Sequence, residues 1–253
     1  MPASPTSMTP TTSLAGRLLN IFAAPGEVFD EIKAASQSTA TWLVPVLIYA
    51  VVGVISVCIV FAQPVIQQTI HDQQVKAMDK LVQQGKISQA QEDQMLQAVE
   101  KFTGPTMMAV FGSAGMVVYS FASIFGWALV LWLLGYWLLK AQLGYKKTLE
   151  VAALSSILLV LDLVITTLLT VIFGRLNAGP SLALLVSDFD LNNRLHLLLG
   201  AVNVIYLWHA GVLAIGLAKL SGSSIVKASA AVFGFWVLVE LLLIAIGMGQ
   251  WAL

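Results

Sequence analysis

Five long apolar runs, nearly free of charged residues, constrain this chain more than any other feature. A helix of about 20 apolar residues crosses the hydrocarbon core of a bilayer. Hydrophobic residues make up 58% of the 253 and charged residues only 10%, whereas about a quarter of the residues in a soluble domain are charged. The sequence therefore predicts an all-α membrane protein with five transmembrane helices. The runs cover residues 42–62, 115–139, 151–173, 195–218 and 228–251.

The second run belongs to an uncharged stretch that is longer than one crossing needs. From Phe102 to Leu139 it would form a helix about 57 Å long, which is too long for one crossing and too short for two crossings with a turn. We expect a single tilted or kinked helix that begins outside the bilayer and crosses it from about Gly115 onward.

The basic residues predict the orientation of the five helices. With the N-terminus in the cytoplasm, seven of the 13 basic residues lie on the inner side, while the short outer loop holds only Arg175 and Arg194. Short loops rich in lysine and arginine remain cytoplasmic. We therefore expect a cytoplasmic N-terminus and an external C-terminus. The inner residues are Arg17, Lys33, Lys140, Lys146, Lys147, Lys219 and Lys227.

The segment before the first transmembrane helix divides into two parts. Residues 1–13 hold three prolines and no basic residue, a pattern that is typical of a disordered tail and excludes a secretory signal. From Leu14 to Ala34, apolar residues recur at helical spacing around a break at Pro25 and Gly26. We expect residues 14–41 to form two short amphipathic helices in the lipid headgroup layer. A docking site for a cytoplasmic partner is the alternative.

The polar loop at residues 63–104 has the pattern of a helical hairpin. Gly85 marks its turn, and Ser88 with Gln91 forms a capping box at the start of the second helix. We expect this hairpin to lie outside the membrane, between the first two transmembrane helices. It either extends those helices into solvent or binds a partner.

Two carboxylates, Asp162 and Glu240, lie near the middle of the third and fifth apolar runs. Because a charge that faces lipid at mid-depth costs about 3 kcal/mol or more, we expect both to face the bundle interior. Tyr206 shares one side of the fourth helix with Asn203 and His209. These three residues, together with Asp162 and Glu240, form a predicted intramembrane polar cluster. Depths from the cytoplasmic end of each helix are about 18 Å for Asp162, 19 Å for Glu240, 14 Å for His209 and 22 Å for Asn203.

Two interpretations of this cluster remain open from the sequence. It is either a proton or cation path at the membrane midplane, or a set of hydrogen-bonded partners that fixes how the third, fourth and fifth helices pack. A continuous water-filled cavity that reaches the cluster favours the path. A dry, hydrogen-bonded cluster favours the structural role.

The motifs of common enzymes and metal sites are absent from the sequence. It has no HExxH, GxSxG or P-loop pattern, and His71, His196 and His209 are too scattered to supply two ligands from one helical face. We therefore predict no catalytic residue, no cofactor and no metal. The formal net charge is zero and no block of basic residues is present, so nucleic-acid binding is not expected.

The expected partners are the lipid bilayer and other membrane proteins. Three pairs of small residues with four-residue spacing allow helices to approach closely. The helix that packs against each pair belongs to the same subunit, to another copy of the chain or to a different membrane protein. The sequence leaves these alternatives open. The pairs are Ala122 and Gly126, Ala210 and Ala214, and Ala230 and Gly234.

Short motifs follow one another along the chain in a characteristic order. Pro-Gly-Glu-Val-Phe begins at Pro25, Trp-Leu-Val-Pro at Trp42 and Gly-Tyr-Lys-Lys at Gly144. The motif residues are Arg17, Phe22, Pro25, Gly26, Phe29, Trp42, Pro45, Gly144, Tyr145, Trp208 and Gly216. With this order and five spans, the chain resembles the bacterial branch of the Yip1-domain family from about Leu14 to Ala245.

The resemblance implies a five-helix bundle with a cytoplasmic N-terminus and no established catalytic residues. Eukaryotic members of the family act in vesicle traffic and associate with small prenylated GTPases. We do not transfer that partner, because a bacterial chain has no such GTPase system to serve. The sequence departs from the family at Ser155-Ser156-Ile157, where a Ser-Leu-Pro-like kink is expected, and this leaves the helix geometry there open.

The sequence as a whole favours a non-enzymatic scaffold or adaptor in the bacterial cytoplasmic membrane. The alternative is a small transporter or channel that uses Asp162, Glu240 and His209. Few transmembrane segments and no visible internal repeat argue against that alternative.

Overall fold

The computed structural model describes residues 12–248. Within that range, five helical segments are long and apolar enough to cross a membrane, which confirms the predicted all-α membrane protein. The helices are α1 (Leu14–Asn20), α2 (Pro25–Ala34), α3 (Thr39–Phe61), α4 (Pro64–Gln83), α5 (Gln89–Thr103), α6 (Pro105–Trp137), α7 (Tyr145–Ser155), α8 (Ile157–Phe173), α9 (Arg194–Ala201), α10 (Val204–Ser221) and α11 (Ile225–Ala245).

The third span, formed by α7 and α8, lies at the centre of the bundle. It packs against α3 on one side and α10 on the other, while α6 packs on α3 and α7, and α11 packs on α10. Every residue from 148 to 159 is buried. The first half of the third span is therefore the core of the membrane domain.

A break at Ser156 separates α7 from α8. The Ser155 hydroxyl donates to the carbonyl of Val151 at 2.8 Å, and the Ser156 hydroxyl donates to the carbonyl of Ala153 at 2.7 Å. Serine hydroxyls that bond back to the preceding helical turn bend helices. The two serines therefore account for the break at the point where the sequence left the geometry open.

The second span is one continuous helix, as its length predicted. Helix α6 contains 33 residues, which corresponds to about 50 Å, against about 30 Å for the hydrocarbon core. One part of α6 therefore extends beyond the thickness of a bilayer.

The fourth span is shorter than predicted. Residues 195–218 do not form one helix, because α9 ends at Ala201 and α10 begins at Val204. The loop before α9 satisfies the backbone at this break, since Leu182 N donates to Val202 O at 3.2 Å and Val204 N donates to Pro180 O at 3.0 Å. Asn203 therefore lies at the N-terminus of α10, where the prediction had placed it inside a longer helix.

The fifth span also differs from its predicted range of 228–251. Helix α11 begins at Ile225 and ends at Ala245, and Gly247 follows with a φ of +79°. Glu240 thus lies five residues before the end of α11 instead of near the middle of its span. The predicted end, with Trp251, lies outside the described residues.

The N-terminal helices form as predicted, and the apolar face of α2 is buried against the bundle, while the position of the two helices in the lipid headgroup layer stays a prediction. Helix α2 packs on α10 and α7, and its residues Val28, Phe29 and Ile32 are buried inside the protein. An amphipathic face is buried either against protein side chains or in the membrane interface, and α2 has the first arrangement. We call α1 and α2 together the N-terminal platform (residues 14–34).

The predicted disordered tail, residues 1–13, falls mostly outside the described residues. Its last two residues are structured, which corrects the predicted boundary. Ser13 Oγ accepts a hydrogen bond from the Gly16 amide at 3.2 Å and caps α1, while Thr12 Oγ1 donates to Glu31 at 2.6 Å. These contacts attach the chain to the platform from Thr12 onward.

Residues 63–104 form the predicted helical hairpin from α4 and α5. Gly85 lies at the turn with a φ of +67°, a conformation that favours glycine. The capping box is present as well, because Ser88 N donates to Gln91 Oε1 at 2.9 Å and Gln91 N donates to Ser88 Oγ at 3.3 Å. The position of the hairpin outside the membrane stays a prediction.

Candidate functional site

The predicted polar cluster divides into two parts, and the first is a pair of buried residues. Asn203 Nδ2 donates to Asp162 Oδ1 at 2.9 Å, and both residues are buried. Asn203 Oδ1 also caps α10 by accepting from the amides of Ile205 at 2.8 Å and Tyr206 at 3.3 Å. The Asn203 side chain therefore joins the third span to the fourth.

We expect Asp162→Ala to lower the free energy of unfolding by about 1–3 kcal/mol, because it leaves the buried Asn203 amide without its acceptor. Asp162→Asn keeps the shape and an acceptor oxygen, so its effect should be close to zero. Unfolding in mixed detergent micelles, followed by loss of helical signal, measures both variants. Equal destabilisation by the two changes would show that the charge of Asp162 matters and the hydrogen bond does not.

The second part of the cluster, Tyr206, His209 and Glu240, lines a cavity of about 510 Å³. This aromatic cavity lies mainly between α6, α10 and α11, with one residue each from α3 and α8, and α6 and α11 make little contact with each other. Asp162 is not among its lining residues. Its aromatic side chains are Tyr49, Tyr119, Trp127, Tyr206, Phe235 and Trp236.

Glu240 is the acidic group of the aromatic cavity. Its Oε2 atom is buried and has no hydrogen-bond partner among the described residues, while the side chain of Trp236, one turn earlier on α11, interacts with the carboxylate. His209 is buried, and its ring meets Trp127 edge-on with the ring centroids 5.9 Å apart. Among the described lining residues there is no lysine or arginine to pair with Glu240.

The motif residues of the sequence lie elsewhere, and several of them build the contact between the platform and the bundle. Phe29 is fully buried. A Cβ atom on Gly216 would lie 3.2 Å from the Phe29 ring and would collide with Val151 on α7. Phe22 meets Trp208 edge-on with the ring centroids 5.8 Å apart. Gly216 thus allows α2, α7 and α10 to converge.

The N-terminus of α2 uses two further motif residues. Pro25 occupies the first turn, where its missing amide hydrogen has no helical acceptor to lose. Gly26 faces the Lys219 side chain on α10, and a Cβ there would lie 3.5 Å from Lys219 Cε. Both residues help to place the start of α2 beside α10.

Four further motif residues lie where α3, α6 and α7 meet. The Trp42 and Phe125 rings lie 5.6 Å apart between centroids, and Tyr145 Oη donates to the Phe125 carbonyl at 3.2 Å. Gly144 is the N-cap of α7, and Pro45 is buried within α3. These contacts are structural, since none of the four motif residues lines the aromatic cavity.

A buried ion pair, Lys147 with Glu150, connects the platform to the third span. Lys147 Nζ lies 3.1 Å from Glu150 Oε2 and donates to the carbonyls of Ile32 at 2.5 Å and Ala35 at 2.8 Å. The Ser38 amide donates to Glu150 Oε1 at 2.8 Å. Glu150 is only 2% exposed. The pair therefore holds the C-terminal end of α2 and the approach to α3.

Lys219 at the end of α10 holds the middle of α2. Its ammonium group pairs with Asp30, and Lys33 Nζ donates to the Lys219 carbonyl at 2.7 Å. From the sequence, Lys33, Lys147 and Lys219 are predicted only to set the orientation of the helices by their charge. The structure shows that all three also attach the platform to the bundle.

Arg17 and Glu31 join the two helices of the platform. Arg17 Nε lies 3.0 Å from Glu31 Oε2. The hydrogen bond from Thr12 holds the pKa of Glu31 below its ordinary value of 4.5, and the hydrogen bond and charge of Arg17 act in the same direction against a contribution from partial burial. Glu31 is therefore ionised in the folded protein over a wider pH range than in the unfolded chain.

We expect the Glu31 contacts to weaken on acidification. Because the folded pKa is depressed, the ionised carboxylate stabilises the platform above the unfolded value, and this contribution is lost as pH falls through the folded pKa. The thermal midpoint of the wild type should exceed that of Glu31→Gln at about pH 7, and the difference should shrink at about pH 3.5. A difference that stays constant between the two pH values would contradict this expectation.

Comparison with known proteins identifies the family of this chain. The Yip1 domain model matches residues 19–247, which include most of the platform and the whole aromatic cavity. The chain belongs to the Yip1 domain family. No curated protein and no solved structure matches it. In this Yip1-domain protein the motif residues hold the platform and the first four spans together.

Two sets of residues were not predicted from the sequence. They are the ion pair of Lys147 with Glu150 and the cavity residues Tyr49 and Tyr119. Lys147 and Glu150 carry a recognisable signal, because an acid at the start of an apolar run with a lysine three residues earlier marks a pair that enters the bundle together. The cavity residues Tyr49 and Tyr119 carry no such signal. Aromatic residues occur in every span, and only the packing of the helices decides which of them face one space.

Proposed function

We propose that this Yip1-domain protein is a non-enzymatic scaffold or adaptor of the bacterial cytoplasmic membrane. The observation that supports this proposal is the attachment of the N-terminal platform. The apolar face of α2 is buried against α7 and α10, and Lys147 and Lys219 hold it from two sides. A platform fixed in this way presents the same surface whenever the membrane domain is folded.

The proposed partners are lipid and other membrane proteins, a second copy included. Leu19 and Glu27 are exposed on the platform and are available for contact. Ala230 and Gly234 on α11 are exposed small residues, which allow close approach of another helix. A small GTPase is not proposed as a partner.

A transporter or channel is the second candidate, and the aromatic cavity is the observation that favours it. Glu240, His209 and Tyr206 line this space. The pairing of Asp162 with Asn203 argues against it, because one of the two intramembrane carboxylates is thereby committed to a structural bond outside the cavity. The scaffold proposal therefore assigns no transported substrate.

Flux measurements separate the two candidates. Wild-type protein reconstituted in liposomes should show proton and potassium fluxes equal to those of empty liposomes. Glu240→Gln serves as the comparison, because it removes the cavity carboxylate and keeps its shape. A wild-type flux that disappears in Glu240→Gln would overturn the scaffold proposal.

Cross-linking in living cells tests the platform directly. A photoreactive amino acid at Leu19 or Glu27 should give an adduct of defined mass, while the same amino acid at Gln73 on the hairpin should not. The adduct should disappear in Phe29→Ala, which releases α2, and persist in Phe111→Ala, which alters an exposed side chain. Absence of any adduct from both platform positions would contradict an adaptor role for this surface.

The proposed orientation has its own test. Reporter fusions after Ser221 should be active in the cytoplasm, and fusions at Leu253 should be active outside. Cysteines placed at Gln73 and Gln89 should react with a membrane-impermeant thiol reagent in intact spheroplasts. Fusions that report one compartment for both positions would eliminate the five-span arrangement.

A further inference from the structure

The aromatic cavity contains a polar atom that the described protein leaves without a partner. Glu240 Oε2 is buried, and no donor among the described residues reaches it. The Trp236 side chain interacts with the carboxylate, but Oε2 has no donor within the described chain, and a buried oxygen without a hydrogen bond is unfavourable in a low-dielectric environment. The chemistry of the site therefore calls for a donor or a positive charge at this oxygen.

The walls of the cavity suit a cation that carries hydrocarbon. Six aromatic side chains surround the space, and aromatic faces attract ammonium groups, most strongly where water is excluded. No lysine or arginine lines the described cavity, and the histidine that does, His209, packs edge-on against Trp127. The volume of about 510 Å³ lies within the range of small-molecule sites.

The cavity is reached from the side of the bundle. Gly126 lines it and is exposed. Helices α6 and α11 make little contact with each other beside it. An amphiphilic molecule in the bilayer therefore meets the cavity mouth between these two helices.

We infer that the aromatic cavity binds an organic ammonium ion, with its nitrogen beside Glu240 and its hydrocarbon part against the aromatic walls. This ligand site goes beyond the proposed scaffold role and does not depend on it. The ammonium group comes either from the headgroup of a membrane lipid or from a soluble amphiphilic amine. Both sources share the same chemistry and differ in how the ligand reaches the protein.

Direct binding of radiolabelled decylammonium tests this inference. The full chain is placed in nanodiscs of phosphatidylglycerol, and binding to empty discs is subtracted. We expect saturable binding of one decylammonium per chain. Decanol, which has the same chain length without the charge, should bind at least about tenfold more weakly, since it lacks the cation that the aromatic faces and Glu240 attract.

Two variants alter the cavity in different ways, one by removing its carboxylate and the other by filling its space. Glu240→Gln should weaken decylammonium binding at least about tenfold, because it removes the partner of the cation. Gly126→Leu keeps Glu240 and fills the cavity, since a Cβ on Gly126 meets open space and the helix tolerates leucine well. It should abolish binding without disturbing the fold.

Matched controls accompany each variant. Gly115→Leu makes the same change three turns earlier on α6, at another glycine whose Cβ meets open space, and Glu27→Gln removes one carboxylate from the platform. Both should bind decylammonium like the wild type. Wild-type binding that persists in Glu240→Gln and in Gly126→Leu, or decanol binding as strong as that of decylammonium, would overturn the inference.

Lipid composition distinguishes the two sources. If the natural ligand is a lipid headgroup, the affinity for decylammonium, taken relative to its partition into empty discs of the same composition, should fall as phosphatidylethanolamine replaces phosphatidylglycerol. Gly126→Leu protein should then retain less phosphatidylethanolamine on purification than Gly115→Leu protein. An affinity independent of phosphatidylethanolamine assigns the site to a soluble amine.

Discussion

Phe29→Ala should lower the free energy of unfolding by about 3–5 kcal/mol, the range found when a fully buried phenylalanine is truncated. Phe29, on α2, is completely buried against α7 and α10, and Gly216 provides the space for its ring. Loss of the ring leaves a cavity at the point where the platform meets the bundle. The free energy is measured by unfolding in mixed detergent micelles.

The same substitution at an exposed site provides the control. Phe111 on α6 is 61% exposed, so Phe111→Ala should change the free energy of unfolding by less than about 1 kcal/mol. Limited proteolysis between α2 and α3 should also accelerate in Phe29→Ala alone. Similar stability of the two variants would mean that the platform contributes little to the fold.

Lys147→Met should also destabilise the protein by about 3–5 kcal/mol, because breaking a buried ion pair leaves its partner uncompensated. Glu150 is 2% exposed, and Lys147 is the cation beside it. The substitution also removes the donor to the carbonyls of Ile32 and Ala35 at the end of α2. Lys146→Met is the matched control, since Lys146 is exposed one residue earlier.

A double-mutant cycle separates the charge effect from the lost hydrogen bonds. Glu150→Gln keeps an oxygen that can accept from the Ser38 amide and removes the buried charge. The double variant Lys147→Met with Glu150→Gln should therefore cost less than the sum of the two single changes, by about 1–3 kcal/mol. Strict additivity would show that the two side chains do not interact.

The transmembrane segments and the hairpin could be predicted because each depends on local sequence. A run of about 20 apolar residues must cross the bilayer as a helix whatever its neighbours are. The capping box of Ser88 with Gln91 and the turn at Gly85 likewise involve residues a few positions apart. These features need no knowledge of which helices pack together.

The platform could be predicted only in part. The apolar spacing in α2 correctly indicated an amphipathic helix, but the same spacing suits lipid and protein equally well. The ion pair of Lys219 with Asp30, whose residues are 189 positions apart, helped to decide in favour of protein. No pattern within α2 contains that information.

The polar cluster was predicted from depth and from shared helical faces, and neither shows which side chains meet across helices. Asp162, Asn203 and Glu240 were placed at similar levels in three continuous helices, but the break before Val204 moves Asn203 to a helix end, where it caps α10 and bonds Asp162. Glu240 faces a different space, together with His209. Rotation of each helix about its own axis decides such pairings, and single-sequence periodicity in an apolar helix barely defines that rotation.

The sequence by itself determined that this chain is a five-span membrane protein, because apolar length and the cost of charge in lipid act on each segment separately. Only the tertiary structure decided where the polar groups act. Asp162 pairs with Asn203, Lys147 and Glu150 attach the platform, and the Glu240 carboxylate lies in an aromatic cavity. These partners come from different helices, so they meet only through the packing of the whole bundle.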